Sequence, residues 1–272
     1  MSTSDDELRR MLEQTLVPPL GVTELDPNPV KRATSRLGDT AGSISELYHV
    51  NSGLTPAGAT RLLPEAAVKT VKDFYFNTEM EGAKEMERQR SNNITDLRAV
   101  APELERVLAP CWTVPYVVPA LFAVDVLVVA AGKLWKQVPG APRLIFESMW
   151  SEEQTVELSQ AIPGSPDLTG PDRALIFITG AFARTSFIQG NRTYRTAGLS
   201  AGIVAGALMQ TCFTPPPMWR PVLVENFVDT DVNRLIRNDG TDRGALAILA
   251  MSKAPVLRPD AATQDHHMEA SK

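Results

Sequence analysis

Residues 121–131 read LFAVDVLVVAA and residues 173–180 read RALIFITG. Each is a short run of branched and apolar side chains closed by glycine, Gly132 just after the first and Gly180 at the end of the second. Runs of this length and composition between turn formers predict strands buried on both faces of a sheet. Residues 143–149 are placed to fold back as a hairpin partner of the first run, and residues 219–224 and 245–251 offer two further strands.

Helical spacing fills the intervals. Residues 62–90 are helical and polar, and from Glu79 onward dense in charge, with Glu81 and Glu85, and Lys84 and Arg88, four apart. That is the pattern of a solvated helix face. Thr95 can cap a helix over residues 96–108, which Pro110 ends, and Ser151 caps one over residues 151–161. An apolar helix over residues 193–212 is stopped by Thr214-Pro215-Pro216-Pro217, and a short helix over residues 230–237 has Asp229 or Thr230 at its cap. Strands and helices alternate through irregular connections, which predicts an α+β layered domain rather than a regular doubly wound one. The expected organisation is a loop-rich arm over residues 1–70, with a short amphipathic helix near residues 5–16, then a folded domain over residues 71–252 and a disordered polar tail over residues 253–272.

The 272 residues are 43% apolar and 22% charged, with a net charge of -5, an ordinary globular mixture. No basic stripe offers a nucleic-acid surface. Residues 199–212, the longest apolar run, fall short of the roughly 20 that a bilayer span needs. Residues 1–10 have no apolar signal core. Two cysteines, Cys111 and Cys212, speak against a disulfide framework and for a reducing compartment, with a bond between the two left open. A cytoplasmic protein without nucleic-acid or membrane partners is expected.

Rival chemistries have little to stand on. Gly198-Leu199-Ser200-Ala201-Gly202 fits the GxSxG pattern, but a nucleophile elbow needs its serine on a strand-to-helix turn and a histidine partner. Ser200 falls inside the expected helix, and the histidines are His49, His266 and His267. No metal-ligand spacing, P-loop or GxGxxG fingerprint occurs. Gly198, Gly202 and Gly206 recur every four residues on one helix face. At about 1 kcal/mol each relative to alanine they need a return, which close helix–helix approach supplies, either inside the subunit or at a dimer interface.

Several local patterns fall in one order over residues 46–252. They are Tyr48-His49-Val50-Asn51-Ser52, then Arg88-Gln89-Arg90-Ser91, then Pro119-Ala120-Leu121-Phe122 leading into the first strand. Residues 187–195, FIQGNRTYR, follow with Gly202 in the helix behind them, then Val232-Asn233-Arg234-Leu235 and Asp239-Gly240. In this order they resemble the SagB-type azoline dehydrogenases of the nitroreductase superfamily, which carry a YHE-type segment, an arginine–arginine–serine element, a glycine–alanine–leucine–tyrosine strand entry and a KYGxRxYR segment. The resemblance implies a nitroreductase-like α+β fold, a central mixed or antiparallel sheet flanked by helices. It further implies a dimer with FMN at the subunit interface and the oxidation of thiazolines and oxazolines to azoles in ribosomal peptides. The implied partners are a second copy or a related dehydrogenase subunit, and a precursor peptide.

FMN carries a phosphate of about −2 charge, and arginine is the side chain best shaped to hold it in a forked, charge-assisted contact. Arg90 is expected as the phosphate ligand, Ser91 as a neutral donor, and Arg192 and Arg195 as assisting cations. The plainer alternatives are a helix terminus for Arg90-Ser91 and a structural ion pair for Arg195. The chain also departs from the family pattern. The lysine–tyrosine pair reads Ile188-Gln189, the second arginine is Gln89, and the next is Asn93. The helix asparagine falls in Ala205-Gly206-Ala207, the C-terminal acid is Arg243, and a glycine before it is Arg237. Two expectations follow: an FMN-type oxidoreductase, or a catalytically degenerate, non-flavin-binding subunit that scaffolds an active dehydrogenase or its peptide.

Overall fold

The structure, a computed structural model, describes residue 52 and residues 63–164, 168, 170, 172–215 and 218–254. The helix expected near residues 5–16, most of the arm and residues 255–272 of the expected tail lie outside the described residues, while Lys253 ends β7. The strands are β1 (Ile94–Asp96), β2 (Val124–Ala130), β3 (Lys133–Gln137), β4 (Arg143–Met149), β5 (Arg173–Ala181), β6 (Trp219–Val224) and β7 (Arg243–Lys253). The helices are α1 (Glu65–Arg88), α2 (Leu97–Val100), α3 (Glu105–Leu108), α4 (Pro110–Thr113), α5 (Glu152–Ala161), α6 (Phe182–Gln189), α7 (Thr193–Phe213) and α8 (Asp229–Leu235).

The strands form one sheet in the order β1-β4-β3-β2-β5-β7-β6. Every neighbouring pair is antiparallel, so the α+β layering holds and the sheet is antiparallel rather than mixed. The two runs that open the argument, β2 and β5, are adjacent central strands. In β5, Ile176 and Ile178 enter one core while Leu175 and Phe177 enter the other. Alternation with both faces covered turns a period-2 pattern into a continuous apolar run. α7 covers the first face through Ala201, Val204 and Leu208, and α5 and α8 cover the second through Leu158, Val232 and Leu235. The helical run Phe182–Phe213 is long and apolar enough to cross a membrane by length and composition, and 44% of its apolar window is buried, its inner side against the sheet. α1 packs across the flank, from Tyr75 against Phe122 to Met80, Ala83 and Met86 around Ile94 and Ile145.

Gly180, next to last in β5, is a glycine for a steric reason. A Cβ on Gly180 would stand 2.5 Å from the Phe182 ring, which stacks on Tyr194 with centroids 4.1 Å apart.

Three expectations need correction. The hairpin partner of β2 is β3, not residues 143–149, which pair with β3 instead. Ala131 and Gly132, both at positive φ (50° and 68°), make the two-residue turn that suits a tight hairpin. The helix expected over residues 96–108 is three pieces. Asp96, not Thr95, caps α2 by accepting the Arg98 N–H at 2.8 Å. Ala101 then leaves the helical region (φ −146°, ψ 65°), as a residue before proline tends to do, and Pro110 opens α4 rather than closing a helix. Third, α8 starts after Val228, and neither Asp229 nor Thr230 supplies a side-chain cap.

The glycine face of α7 divides the two readings offered for it. A Cβ at Gly198, Gly202 or Gly206 would meet nothing within 4 Å. All three are exposed, between Leu199 at 66% and Ile203 at 43% exposure. No described element of this chain crosses that face, so the close crossing within the subunit is not formed among the described residues.

Candidate functional site

Arg90 and Ser91 close α1. Arg90 sits in the left-handed region at φ 52°. Its N–H donates to the Glu87 carbonyl at 3.0 Å, and the Ser91 N–H donates to the Met86 carbonyl at 2.9 Å. Those two bonds define a Schellman cap, whose left-handed position favours glycine. Ser91 Oγ accepts the Asn93 N–H at 3.2 Å, and Gln89 Nε2 donates to Glu85 at 2.8 Å. The backbone here is therefore a helix terminus. The Arg90 side chain is exposed and makes no hydrogen bond or ion pair among the described residues.

Arg192 and Arg195 lie at the foot of α7, where a 3-10 turn, Gly190–Arg192, joins it to α6. Arg192 Nη1 donates to the Ser52 carbonyl at 3.1 Å, and Arg195 Nη2 donates to Ser52 Oγ at 2.9 Å. Ser52 is 1% exposed. Among the described residues no carboxylate pairs with either arginine, so the ion pair considered for Arg195 does not form there. These two residues meet; Arg90 and Ser91 do not join them. Arg90 precedes β1 at one edge of the sheet and the pair follows β5, and four strand spacings, about 19 Å, lie between those strands.

Other candidates resolve simply. Ile188 is 5% exposed, packed in the interior at the end of α6. Ser200 is buried in the middle of α7, with no strand-to-helix turn around it. Cys111 and Cys212 are free and buried; burial pushes the Cys111 thiol up to about 12. Among the described residues no group of three or more metal-ligating side chains comes together.

The sequence reading missed the densest polar cluster. Arg184, from α6, donates to the Leu121 carbonyl at 3.2 Å and to Asp125 Oδ1 at 3.1 Å, and its Nε donates to the Phe122 carbonyl. Its guanidinium stacks 4.2 Å from the Tyr75 ring centre. The Asp125 side chain is 3% exposed. The Tyr75 hydroxyl is buried without a hydrogen-bond partner among the described residues, and burial first, then the Asp125 charge, holds its pKa well above the ordinary phenol value. Beside it Lys136 Nζ donates to both Glu79 oxygens, at 3.1 and 3.0 Å. One signal was present: an aspartate inside LFAVDVLVVAA must be buried with its strand, and a buried carboxylate demands a cation. The cluster ties α1, the Val118–Phe122 turn, β2 and α6 together. A neutral, desolvated Tyr75 is no base at ordinary pH.

No protein-family profile matches the chain, and no curated protein sequence does. Among solved structures it is similar to a putative nitroreductase from Anabaena variabilis, with a TM-score of 0.41 and 26% identity over 48% of this chain and 27% of that one. It is also similar to the E. coli microcin synthetase McbBCD complex with truncated pro-MccB17 bound, with a TM-score of 0.47 and 14% identity over 56% of this chain and 63% of that one. A putative nitroreductase from Ralstonia eutropha gives a TM-score of 0.43 and 14% identity over 56% of this chain and 72% of that one. The chain spans 27% of the first of these and 63% of the second, less than two thirds of either.

Proposed function

We propose that the chain is an FMN-type oxidoreductase subunit of nitroreductase-like fold, acting in a cytoplasmic multi-protein complex on a ribosomal precursor peptide, as the azoline dehydrogenases it resembles do. The observation that carries this is the pair at the foot of α7. Two guanidiniums converge on one residue, and among the described residues only the neutral oxygens of Ser52 accept from them. A phosphate would offer both of them an ionised acceptor in the forked geometry that a guanidinium fits, which the neutral oxygens of Ser52 do not. Arg90, with its exposed side chain, is the third cation. Because it stands well away from the pair in one chain, its contribution to the same site would come from a second subunit. FMN, when bound, would supply the electron sink; this chain's part is to grip the phosphate and orient the ring.

The open face of α7 supports an assembly. It runs about 30 Å, has no charged residue from Thr196 to Thr214, and ends at the exposed Phe213. An apolar strip of that length is a surface that a partner covers, and glycines four apart let a second helix come close. The occupant is a second copy or a related dehydrogenase subunit.

A second reading, a non-flavin-binding scaffold subunit, is favoured by Ile188. Azoline oxidation needs a base for the carbon acid, and an isoleucine in the interior is none. The visible absorbance band of oxidised flavin decides between the two, measured after FMN addition to the chain alone and to the chain coexpressed with its gene neighbours' products. Retained flavin supports the oxidoreductase. No retained flavin even in the complex sinks it and leaves the scaffold.

A further inference from the structure

We infer that α7 pairs with the α7 of a second copy of this chain, antiparallel and about a two-fold axis at position 204, and that this pairing lays the partner's Phe213 on Arg195. It rests on the reading of the open α7 face as a covered surface, names a second copy as what covers it, and needs no flavin. Along one line of the helix lie Arg195, Leu199, Gly202, Gly206, Met209 and Phe213, spaced four, three, four, three and four. At 3.6 residues per turn all six stay within about 40° of one direction. Leu199, Gly202, Gly206 and Phe213 are exposed, and Arg195 and Met209 are half-buried. By size the line reads alike from both ends, with two glycines at its centre, then Leu199 and Met209, then Arg195 and Phe213. Turned about position 204, Gly202 falls on Gly206, Leu199 on Met209 and Arg195 on Phe213. An isologous contact requires this, residue i on j and j on i, whereas a partner of another sequence does not. The glycines leave room at the crossing, since nothing described in this chain stands within 4 Å of a Cβ at either.

Charge sets the direction. The face carries no charge from Thr196 to Thr214, and its cations, Arg192 and Arg195, stand at one end. Parallel helices would bring the arginine pairs of both copies together. Antiparallel ones hold the two Arg195 positions about 27 Å apart along the axis, well beyond the roughly 8 Å over which physiological salt screens a charge. Each Arg195 then meets an aromatic ring instead. A guanidinium donates in its plane and stacks through its face, so a ring can cover Arg195 while its Nη2 keeps the bond to Ser52 Oγ. The second copy thereby adds a wall to the arginine pair at the foot of α7.

Cross-linking of the full chain tests the register. Leu199→Cys and Met209→Cys each add one thiol to a protein whose native cysteines are buried. A short bis-maleimide should link a mixture of the two variants into a covalent dimer. It should leave each variant alone unlinked, because like positions lie about 15 Å apart along the axis. Links as strong in each variant alone as in the mixture overturn the antiparallel pair. A dimer by light scattering whose mixture does not link places the interface elsewhere and overturns it too. So does a monomer at every concentration, which leaves the face to a different subunit or to residues 1–51 of the same chain. Phe213→Leu should raise the dimer dissociation constant about 5–30-fold, the worth of two exposed cation–π contacts, and Phe213→Trp should not; equal constants for both variants and the native chain refute the contact with Arg195. Flavin retention is read separately. If the mixture links and FMN is never retained, the pairing stands and the flavin reading falls. If FMN is retained and the mixture does not link, the pairing falls and the flavin reading stands.

Discussion

Replacing Arg90 by glycine changes two quantities with opposite signs. At φ 52° an L-residue is strained by roughly 1–2 kcal/mol relative to glycine. Glycine gives back about 0.4–1 kcal/mol through the greater freedom of its unfolded chain. The exposed Arg90 side chain makes no hydrogen bond or ion pair among the described residues, so none is lost in exchange. The net is a gain of about 0.5–1 kcal/mol, or about 1–4 °C in Tm for a domain of this size. Arg237 is the built-in control. It too is left-handed, at φ 59°, and closes α8 by the same pattern, its N–H on the Arg234 carbonyl at 3.2 Å and the Asn238 N–H on the Asn233 carbonyl at 2.8 Å. Arg237→Gly should stabilise by the same amount, and the two changes, on separate elements, should add. Only Arg90→Gly should weaken flavin binding. Thermal unfolding followed by circular dichroism, paired with a flavin titration, measures both. If Arg237→Gly raises Tm and Arg90→Gly lowers it, the Arg90 side chain holds the fold together and is not a free cation. If both lower it, the left-handed strain argument is wrong.

Arg184→Ala should cost about 3–5 kcal/mol in urea unfolding, since it strands the buried Asp125 carboxylate; removing both charges, as Arg184→Met with Asp125→Leu, should recover most of that, and a cost under about 1 kcal/mol for the single change would show the cluster to be peripheral. Gly202→Leu should not lower Tm, because a Cβ there meets nothing within 4 Å and glycine in a helix costs about 1 kcal/mol relative to alanine, but it should change the mass measured by light scattering; an unchanged mass in a variant that keeps its Tm rules out the α7 face as the interface.

What the sequence made legible was whatever depends on neighbours in the chain. β5, β6, α5 with its Ser151–Gln154 capping box, and α7 all lie where periodicity and punctuation put them. β3 was missed because KLWKQ has two lysines and looks like a loop. Its Lys136 is buried only because Glu79, 57 residues away, meets it there, and no local pattern carries that fact. The broken helix after Asp96 had a warning in Pro102, which outweighed the apolar spacing across it. The site shows the same divide. Arg192 and Arg195 were legible as a pair because they sit three apart in the FIQGNRTYR segment that leads into α7. That they turn to Ser52 depends on a contact over 140 residues, beyond any spacing argument.

The departures from the family pattern are not of one kind, and the difference bears on function. Arg237 stands where the resemblance expects glycine, yet the backbone still takes a glycine conformation. It is held there by its surroundings: Asp239 Oδ1 accepts the N–H groups of Thr241, Asp242 and Arg243 at 2.7, 2.7 and 3.1 Å, and Asn233 Oδ1 accepts the Ala245 N–H at 2.8 Å. None of those bonds uses the side chain at position 237. Ile188 is different. It fills interior space, so a lysine there would have to bury its charge or give up its proton, and either outcome costs stability. Tyr75, the nearest thing to an internal acid–base group in the polar cluster, is held neutral by burial. Under the flavin reading, neither Ile188 nor Tyr75 is the base that azoline oxidation requires. The same reading would bring Arg90, four strand spacings from the Arg192–Arg195 pair, to a shared site only through a second subunit, and the face of α7 left open among the described residues is where such a subunit would pack.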